Sequence, residues 1–500
     1  MTDDEFETMR AAKAALLDEA RPEAVRRQHE RGHLTAREAV AALVDPGSFV
    51  EYGSLARPVI EGMEAAAEGI LTGTAQVDGR PVALAFYDYT VHGGSQSYMG
   101  HHKITRIFLH AARLRLPVVC WLDGGGARPQ DGAPGRRLVA ETFVQFARLS
   151  GDVPTIGVVP QRAFAGHANL AGMCDCLIGV EGAAIGIGGP PLVFAATGSR
   201  LKPEEIGPLD VHRASGVVDI AVKTDEEAIA AVRKYLAFFG PRAEDWAAPD
   251  ASALRTVVPQ RAKRAYDVRK VIEGICDIGS ILELKRDFGK AAVTALARIA
   301  GRTVGVVANQ PMHLAGAIDS EAAEKSTRFA QLCDAFDIPV LLLCDTPGIL
   351  VGPEGEATGI VRRASRLLMA LANARVPLMS VVLRKAFGLG FYIMGSQAFR
   401  PAVLLAWPGA QYGGMGIEGA VEIAYGREIE AIEDETERAA VRARRVDAMR
   451  QEGSAVETAA RFLYDDVIDP ADTRHLLQLT MDSFANLDPK RPRKPYVDAF

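Results

Sequence analysis

Tryptophan and cysteine are scarce in this chain, with three and six copies among 500 residues. The cysteines (Cys120, Cys174, Cys176, Cys276, Cys333 and Cys344) lie mostly in apolar runs, and the one close pair is Cys174-Asp-Cys176. No C-x-x-C exists, which excludes a zinc ribbon and argues for buried, reduced thiols in a cytoplasmic setting, with no metal expected. No apolar run reaches the roughly 18 residues of a membrane span. The first 30 residues are charged and helical in pattern, without the apolar centre of a signal peptide. Net charge is −6 with no sustained basic stripe, so neither membrane nor nucleic acid is an expected partner. The glycine-rich stretch Gly124-Gly-Gly-Ala-Arg lacks a following Gly-Lys-Ser/Thr, which rules out a P-loop. It also follows an interior strand without a later acidic partner, so it is no dinucleotide fingerprint.

What the chain does contain is the same domain twice. Arg80-Pro-Val stands against Arg302-Thr-Val, Lys103 against Lys325, Arg106 against Arg328 and Asp123 against Asp345, all at an offset of 222. One residue later in register, Val153-Pro154 meets Val376-Pro377 and Ala163-Phe164 meets Ala386-Phe387. Upstream, Arg37–Glu51 parallels Arg269–Glu283 at an offset of 232. Such a period is far longer than a solenoid unit and points to two fused domains. We expect them at 1–245 and 255–500, joined by the polar, proline-rich stretch Phe239–Asp250.

Each copy alternates strands and helices. Thr35 and Glu38 have capping-box spacing and predict a helix that stops at Asp45-Pro-Gly. Strands are expected at Pro81–Phe86, Pro117–Leu122 and Thr155–Val159, with a helix over His102–Arg115 on the spacing of Ile104, Ile107, Phe108, Ala111 and Leu114. The second copy predicts strands at Val340–Cys344 and Leu378–Leu383 around a helix over Gly359–Ala374. Strand, glycine-rich turn, helix, strand is an α/β pattern. Glu428–Glu457 reads as one long exposed helix, and Glu430–Glu437 as a solvated face.

Four glycine-rich turns, two per copy, lead from strands into helices. The first turn of a helix leaves N–H groups unpaired and partly positive, and small residues let an oxygen come close. Such a turn can bind a phosphate or stabilise an enolate oxygen; the plain alternative is that the glycines only make tight turns.

The chain resembles the carboxyltransferase (β) subunit of biotin-dependent acyl-CoA carboxylases of the propionyl-CoA/acetyl-CoA type. The resemblance rests on Gly32-His-Leu-Thr-Ala-Arg-Glu, Asp88-Tyr-Thr-Val-His-Gly-Gly-Ser, Gly125-Gly-Ala-Arg and Gly189-Pro-Pro in the first half. In the second half it rests on Lys325-Ser-Thr-Arg-Phe, Asp345-Thr-Pro-Gly, Arg384-Lys-Ala-Phe-Gly and Gly416-Ile-Glu-Gly-Ala-Val. It implies two tandem crotonase-like (spiral ββα) domains and a homo-hexamer with active sites at dimer interfaces. It implies transfer of a carboxyl group from carboxybiotin to the α-carbon of a short acyl-CoA, through an enolate held by backbone N–H groups. By the same resemblance, Ala165 and Gly166 hold the thioester carbonyl, and Leu389 and Gly390 hold the biotin ureido oxygen. Gly125, Gly126, Ala127 and Arg128 line the CoA side, Phe387 and Gly388 border the biotin side, and Tyr392 stands where acyl length is selected. The family has Gly-Gly where this chain has Ala165-Gly166, Gly-Ala at Leu389-Gly390, and Gly-Pro at Gln161-Arg162. The chain has no Met-Lys-Met biotinylation site and no ATP-binding domain, so biotin carboxylase and biotin carrier are expected on a partner. Alternatives are a decarboxylase component and a non-catalytic structural subunit.

Among single residues, His101 and His102 are expected at the surface, since sequence neighbours on a helix cannot chelate together. Arg128 is expected to meet CoA phosphates or pair with Asp131. Lys325 shares its repeat position with Lys103, which favours a structural helix role, with a CoA contact as the alternative. Asp88 and Asp345 are expected to fix their turns.

Overall fold

The computed structural model describes residues 2–132, 141–259, 261, 264–486 and 497–498. The chain divides into two compact units: Met1–Gly240 with Arg493–Ala499, and Pro241–Pro492 with Phe500. The division falls inside the stretch expected as a linker. Its latter part belongs to the second unit, where Ala243 N–H donates to Gly301 O and Ile278 N–H to Ala247 O, both at 2.9 Å. Val497 is held in the first unit by Ser150, whose Oγ accepts from its N–H at 3.0 Å.

The first unit carries β1 (Val50–Glu51), β2 (Ile70–Val77), β3 (Arg80–Tyr87), β4 (Val118–Trp121), β5 (Thr155–Val159), β6 (Arg162–Phe164), β7 (Cys176–Val180), β8 (Ala184–Gly186) and β9 (Ile220–Val222). The second carries β10 (Leu282–Leu284), β11 (Ala292–Ile299), β12 (Arg302–Asn309), β13 (Val340–Thr346), β14 (Leu378–Phe387), β15 (Val403–Ala406), β16 (Gln411–Gly413) and β17 (Asp466–Val467). The main sheets have the same order, β1-β2-β3-β4-β5-β7-β9 and β10-β11-β12-β13-β14-β15-β17. In each, an antiparallel hairpin leads into parallel strands. The parallel strands are buried on both faces, which is why they read as unbroken apolar runs.

The duplication extends to side chains that tie the backbone. Asp78 and Gly79, at φ 50° and 74°, turn β2 into β3; Ala300 and Gly301, at φ 50° and 77°, turn β11 into β12. Asp45 accepts from both N–H groups of the first turn at 3.0 and 2.8 Å, and Asp277 from both of the second at 2.9 and 2.7 Å. Arg37 pairs with Glu51 at 3.1 Å and Arg269 with Glu283 at 2.6 Å. Lys103 Nζ donates to Ala67 O and Ile70 O at 2.7 and 2.5 Å; Lys325 Nζ donates to Phe288 O and Ala292 O at 3.0 and 2.8 Å. Both ammonium groups are buried, and burial lowers their pKa values to about 8 and about 7. The shared repeat position is structural, as its duplication suggested.

The helix Tyr98–Leu114 packs Ile104, Ile107, Phe108 and Ala111 against Ala83, Ala85, Val118 and Cys120 in the first core. Leu114 departs from the expected stripe. It is half-exposed because the helix ends there, with Arg115 in the left-handed region at φ 56°. The Thr35–Glu38 capping box is present on Ala36–Leu43. All six cysteines are buried thiols, none in a disulfide. Two expectations fail. Glu428–Glu457 spans parts of three helices, Ile417–Glu430, Glu435–Glu452 and Ala455–Ala460, interrupted where Asp434 caps the second by accepting from Glu437 N–H. His101 is buried rather than superficial, with Nδ1 3.0 Å from Thr142 Oγ1. Strand β2 is an addition to the expected strands, and Asp78-Gly79 at its end is the local hairpin signal for it.

Candidate active site: two glycine turns

In the first unit, β6 pairs in parallel with β8, Phe164 standing opposite Gly186. The ladder continues one residue further, so Ala165 N–H donates to Gly186 O at 3.1 Å. Ala165 then adopts φ 51°, ψ −117° and caps the helix Gly166–Met173. That conformation suits glycine, and a Cβ there costs about 1–3 kcal/mol. Gly166 is forced by its neighbours: a Cβ would lie 2.0 Å from Gln96 Oε1. Gln96 is buried and donates to Tyr87 Oη at 3.2 Å. The amides of Gly166 and His167 open the helix and hydrogen-bond to no described residue.

The Gly124–Arg128 segment packs beside this turn. Gln96 N–H donates to Gly126 O at 2.8 Å and Arg128 N–H to Gln96 O at 2.7 Å. Gly126 sits at φ 105°, where a Cβ would be 3.0 Å from Ala165 Cβ. Gly125 and Ala127 are exposed and Gly126 is buried. His167 is fully buried, its ring 4.3 Å from that of Tyr87. Its nitrogens face the backbone of Phe164 and Gly94 without a well-formed hydrogen bond, and burial lowers its pKa to about 3, so the ring is neutral. Arg128 corrects an expectation. Its Nη1 donates to Glu68 Oε1 at 2.8 Å, both side chains are almost wholly buried, and Asp131 instead accepts from Tyr98 N–H at 2.8 Å. The guanidinium therefore braces the turn from below.

The second unit repeats the arrangement. The end of β14 pairs with β16, Phe387 opposite Gly413, and the helix Gly388–Ile393 follows. Matching the two ladders places Ala165 against Gly388, both at left-handed φ (51° and 57°). Gly166 then corresponds to Leu389 and His167 to Gly390, one residue out of step with the pairing of Ala165-Gly166 to Leu389-Gly390. The amides of Leu389 and Gly390 are in the first helical turn and hydrogen-bond to no described residue. Leu389 is 53% exposed, so its side chain points away from the core. A Cβ on Gly390 would come within 2.7 Å of Gly348 Cα and 2.8 Å of Gly348 C. Phe387 is buried and Gly388 half-buried. Tyr392 is 43% exposed, lies edge-on to Phe399 at 5.7 Å, and borders a cleft of about 730 Å³ with Leu371, Val376 and Arg400.

Below the two turns the charges differ. Asp345 Oδ2 accepts from Arg384 Nε at 3.1 Å and Oδ1 from Lys385 Nζ at 2.5 Å, with Lys385 N–H at 3.1 Å. Arg384 also stacks over Tyr266, 5.0 Å from its centroid. At the repeat position Asp123 accepts from Gln161 Nε2 at 2.9 Å and Arg162 N–H at 3.3 Å, and no cationic side chain among the described residues pairs with it. Burial pushes its pKa up to about 7. Asp88 does fix its turn, through Thr90 N–H at 3.0 Å, and also pairs with Arg21 at 3.2 Å.

Two strand-to-helix turns, each presenting free amides over a parallel sheet, define a crotonase-fold carboxyltransferase once known proteins are compared. A carboxyl transferase domain model matches residues 27–494. The methylmalonyl-CoA carboxyltransferase 12S subunit of Propionibacterium freudenreichii subsp. shermanii is 35% identical over 94% of this chain and 92% of its own. The propionyl-CoA carboxylase carboxyltransferase subunit of Haloferax mediterranei is 35% identical over 95% of each. Among solved structures, transcarboxylase 12S, a hexamer with methylmalonyl-CoA bound, superposes with a TM-score of 0.90 at 33% identity, over 100% of this chain and 98% of that one. A single-chain, multi-domain long-chain acyl-CoA carboxylase matches at TM-score 0.90 and 43% identity, over 96% of this chain and 49% of that longer one. The chain belongs to the carboxyl transferase family and is the carboxyltransferase of an acyl-CoA carboxylase.

Proposed function

We propose that this chain moves a carboxyl group between biotin on a partner polypeptide and the α-carbon of a short acyl-CoA, with the two turns dividing the work. The observation that carries the reading is the pair of helix first turns whose amides lack internal partners. Gly166 and His167 hold the thioester oxygen as it gains enolate charge, and Leu389 and Gly390 hold the ureido oxygen. Ala165, expected as a donor, instead shapes the turn, because its N–H is already committed to Gly186 O. Biotin, when bound, supplies an activated carboxyl group and a ureido oxygen that gains charge on its release. The residues fit that role, since two adjacent, fixed N–H groups match one developing oxyanion, and one such donor is worth about 3 kcal/mol. Gly125, Gly126 and Ala127 line the CoA side. Phe387 and Gly388 shape the biotin side, and Tyr392, at the rim of its cleft, sets acyl length.

Each unit leaves apolar surface that assembly would cover. The helix Pro190–Thr197 has no buried residue, and Leu192 and Phe194 are 59% and 45% exposed. On the helix Ile417–Glu430, Ile423 is 75% exposed. Such faces mark protein contacts, and we infer a hexamer like that of transcarboxylase 12S. The test is ATP-dependent bicarbonate fixation by the chain with a biotin carboxylase and biotin carrier partner, over acetyl-CoA to long-chain acyl-CoA. Fixation with any thioester supports the reading; silence with all of them leaves a structural subunit, and fixation by the chain alone contradicts the division of labour.

A further inference from the structure

Arg162 sits at the same repeat position as Lys385, but its side chain goes elsewhere. Lys385 folds inward onto Asp345. Arg162 turns outward, and its Nη1 donates to Tyr89 Oη at 3.3 Å, leaving Asp123 to Gln161. A second guanidinium, Arg31, lies over the same ring, 5.4 Å from its centroid. Neither arginine pairs with a carboxylate among the described residues. The nearby Asp88 is already paired with Arg21 and accepts a hydrogen bond from the Thr90 hydroxyl. Two exposed cations thus share one aromatic ring, with no carboxylate paired to either among the described residues.

The patch is held in place. Arg31 ends the helix Pro22–Glu30, and the next residues are pinned to the first unit: His33 Nδ1 lies 3.1 Å from Asp225 Oδ1, and Leu34 N–H donates to Asp225 Oδ2 at 2.8 Å. Gln28 Nε2 donates to Leu34 O at 3.0 Å, closing the turn. Arg162 opens β6, the strand that delivers Ala165 and Gly166. Gly166 lies four positions further along, at most about 14 Å away, which a pantetheine arm can reach.

We propose that Arg31, Tyr89 and Arg162 form the seat for the nucleotide end of the CoA thioester, the guanidinium groups binding its phosphates and the tyrosine ring holding them apart. This rests on the assignment of acyl-CoA to the first turn. Arginine suits the task because its planar fork binds phosphate oxygens in pairs, and its stacking on tyrosine reduces the freedom lost on binding. The geometry also accounts for the missing partner of Asp123: the side chain that could have neutralised it is used at the surface.

The test is calorimetric titration of the full chain with free CoA, 3′-dephospho-CoA and pantetheine, repeated for Arg162→Gln, Arg31→Gln and the double variant. The double variant should bind CoA about tenfold or more weakly, because charge-assisted hydrogen bonds to its phosphates are lost. Pantetheine binding should not change. Arg162→Lys should recover part of the loss, and dephospho-CoA should show a smaller loss if the 3′-phosphate is the group held. Unchanged CoA affinity in the double variant, with wild-type binding intact, overturns this seat alone. An equal loss for pantetheine also overturns it, because the substitutions would then act by distorting the turn. Failure of the wild-type chain to bind any of the three removes both the seat and the assignment of acyl-CoA to the first turn.

Discussion

The two halves share a backbone and differ in what surrounds the first helical turn. In the first half the space beside Gly166 is filled by a side chain, Gln96; in the second the space beside Gly390 is filled by the backbone of Gly348. A side chain can rotate away and a backbone in a turn cannot. Beneath them, Asp345 is held by two cations whereas its counterpart Asp123 is held by neutral donors. Duplication therefore preserved the scaffold (Lys103 and Lys325, Arg37 and Arg269, Asp45 and Asp277) while the parts that meet substrates diverged. Scaffold positions answer to the backbone, which is the same in both halves. In the proposed division of labour, the turn positions answer to different ligands.

The sharpest way to break this comparison is at the turns. Gly390→Val should lower carboxyl transfer about 100-fold or more, since it displaces an oxyanion donor and collides with Gly348, while acyl-CoA binding, measured by titration, persists. Gly390→Ala should cost more in thermal stability than Gly166→Ala, because only the latter finds a movable neighbour. If Gly390→Val instead abolishes acyl-CoA binding and spares carboxybiotin decarboxylation, the halves have been assigned in reverse.

The buried carboxylates come next. Asp345→Asn leaves Arg384 and Lys385 without their counter-charge and should cost about 3–5 kcal/mol in urea unfolding. Asp123→Asn keeps neutral partners and should change stability by about 1 kcal/mol or less at pH 5. Equal losses would mean that the two sites are electrostatically alike after all.

The same pair should separate with pH. Burial raises Asp123 to about 7, with Gln161, the Arg162 amide and His33 opposing the shift and Asp225 adding to it. A carboxyl that binds its proton more tightly when folded favours the folded state least once ionised. Its contribution is therefore best below the unfolded value near 4 and declines as pH rises towards 7. Asp123→Asn should remove that decline, so the variant gains on the wild type between pH 5 and 8. Parallel stability curves over that range would refute the assignment.

The smallest effect is expected at the position where the halves differ by one methyl group. Ala165 and Gly388 share a left-handed φ, and Ala165→Gly should raise stability by about 1 kcal/mol, against the usual cost of glycine. A fall in melting temperature would show that the turn carries no strain. Leu389→Gly, which trims an exposed side chain and keeps the amide, should leave transfer equal or faster in the bicarbonate assay.

By itself the sequence determined the duplication, the parallel strands, the family, and four glycine-rich turns, of which those after β6 and β14 pass directly into helices. These are legible because apolar runs, capping boxes and repeat offsets are local or periodic signals. It placed Thr155–Val159 to the residue and assigned Lys103 and Lys325 a structural role through their shared position, while their burial emerged only in the fold. Only the tertiary structure decided which amides are free. The ladder between β6 and β8 runs one residue past its strand, commits the amide of Ala165, and leaves those of Gly166 and His167 without a partner among the described residues. It likewise put Glu68 rather than Asp131 beside Arg128, sixty residues away in the chain, and buried His101 against Thr142. Hydrogen-bond partners distant in sequence are chosen by how sheets and helices pack, and no local pattern encodes that choice.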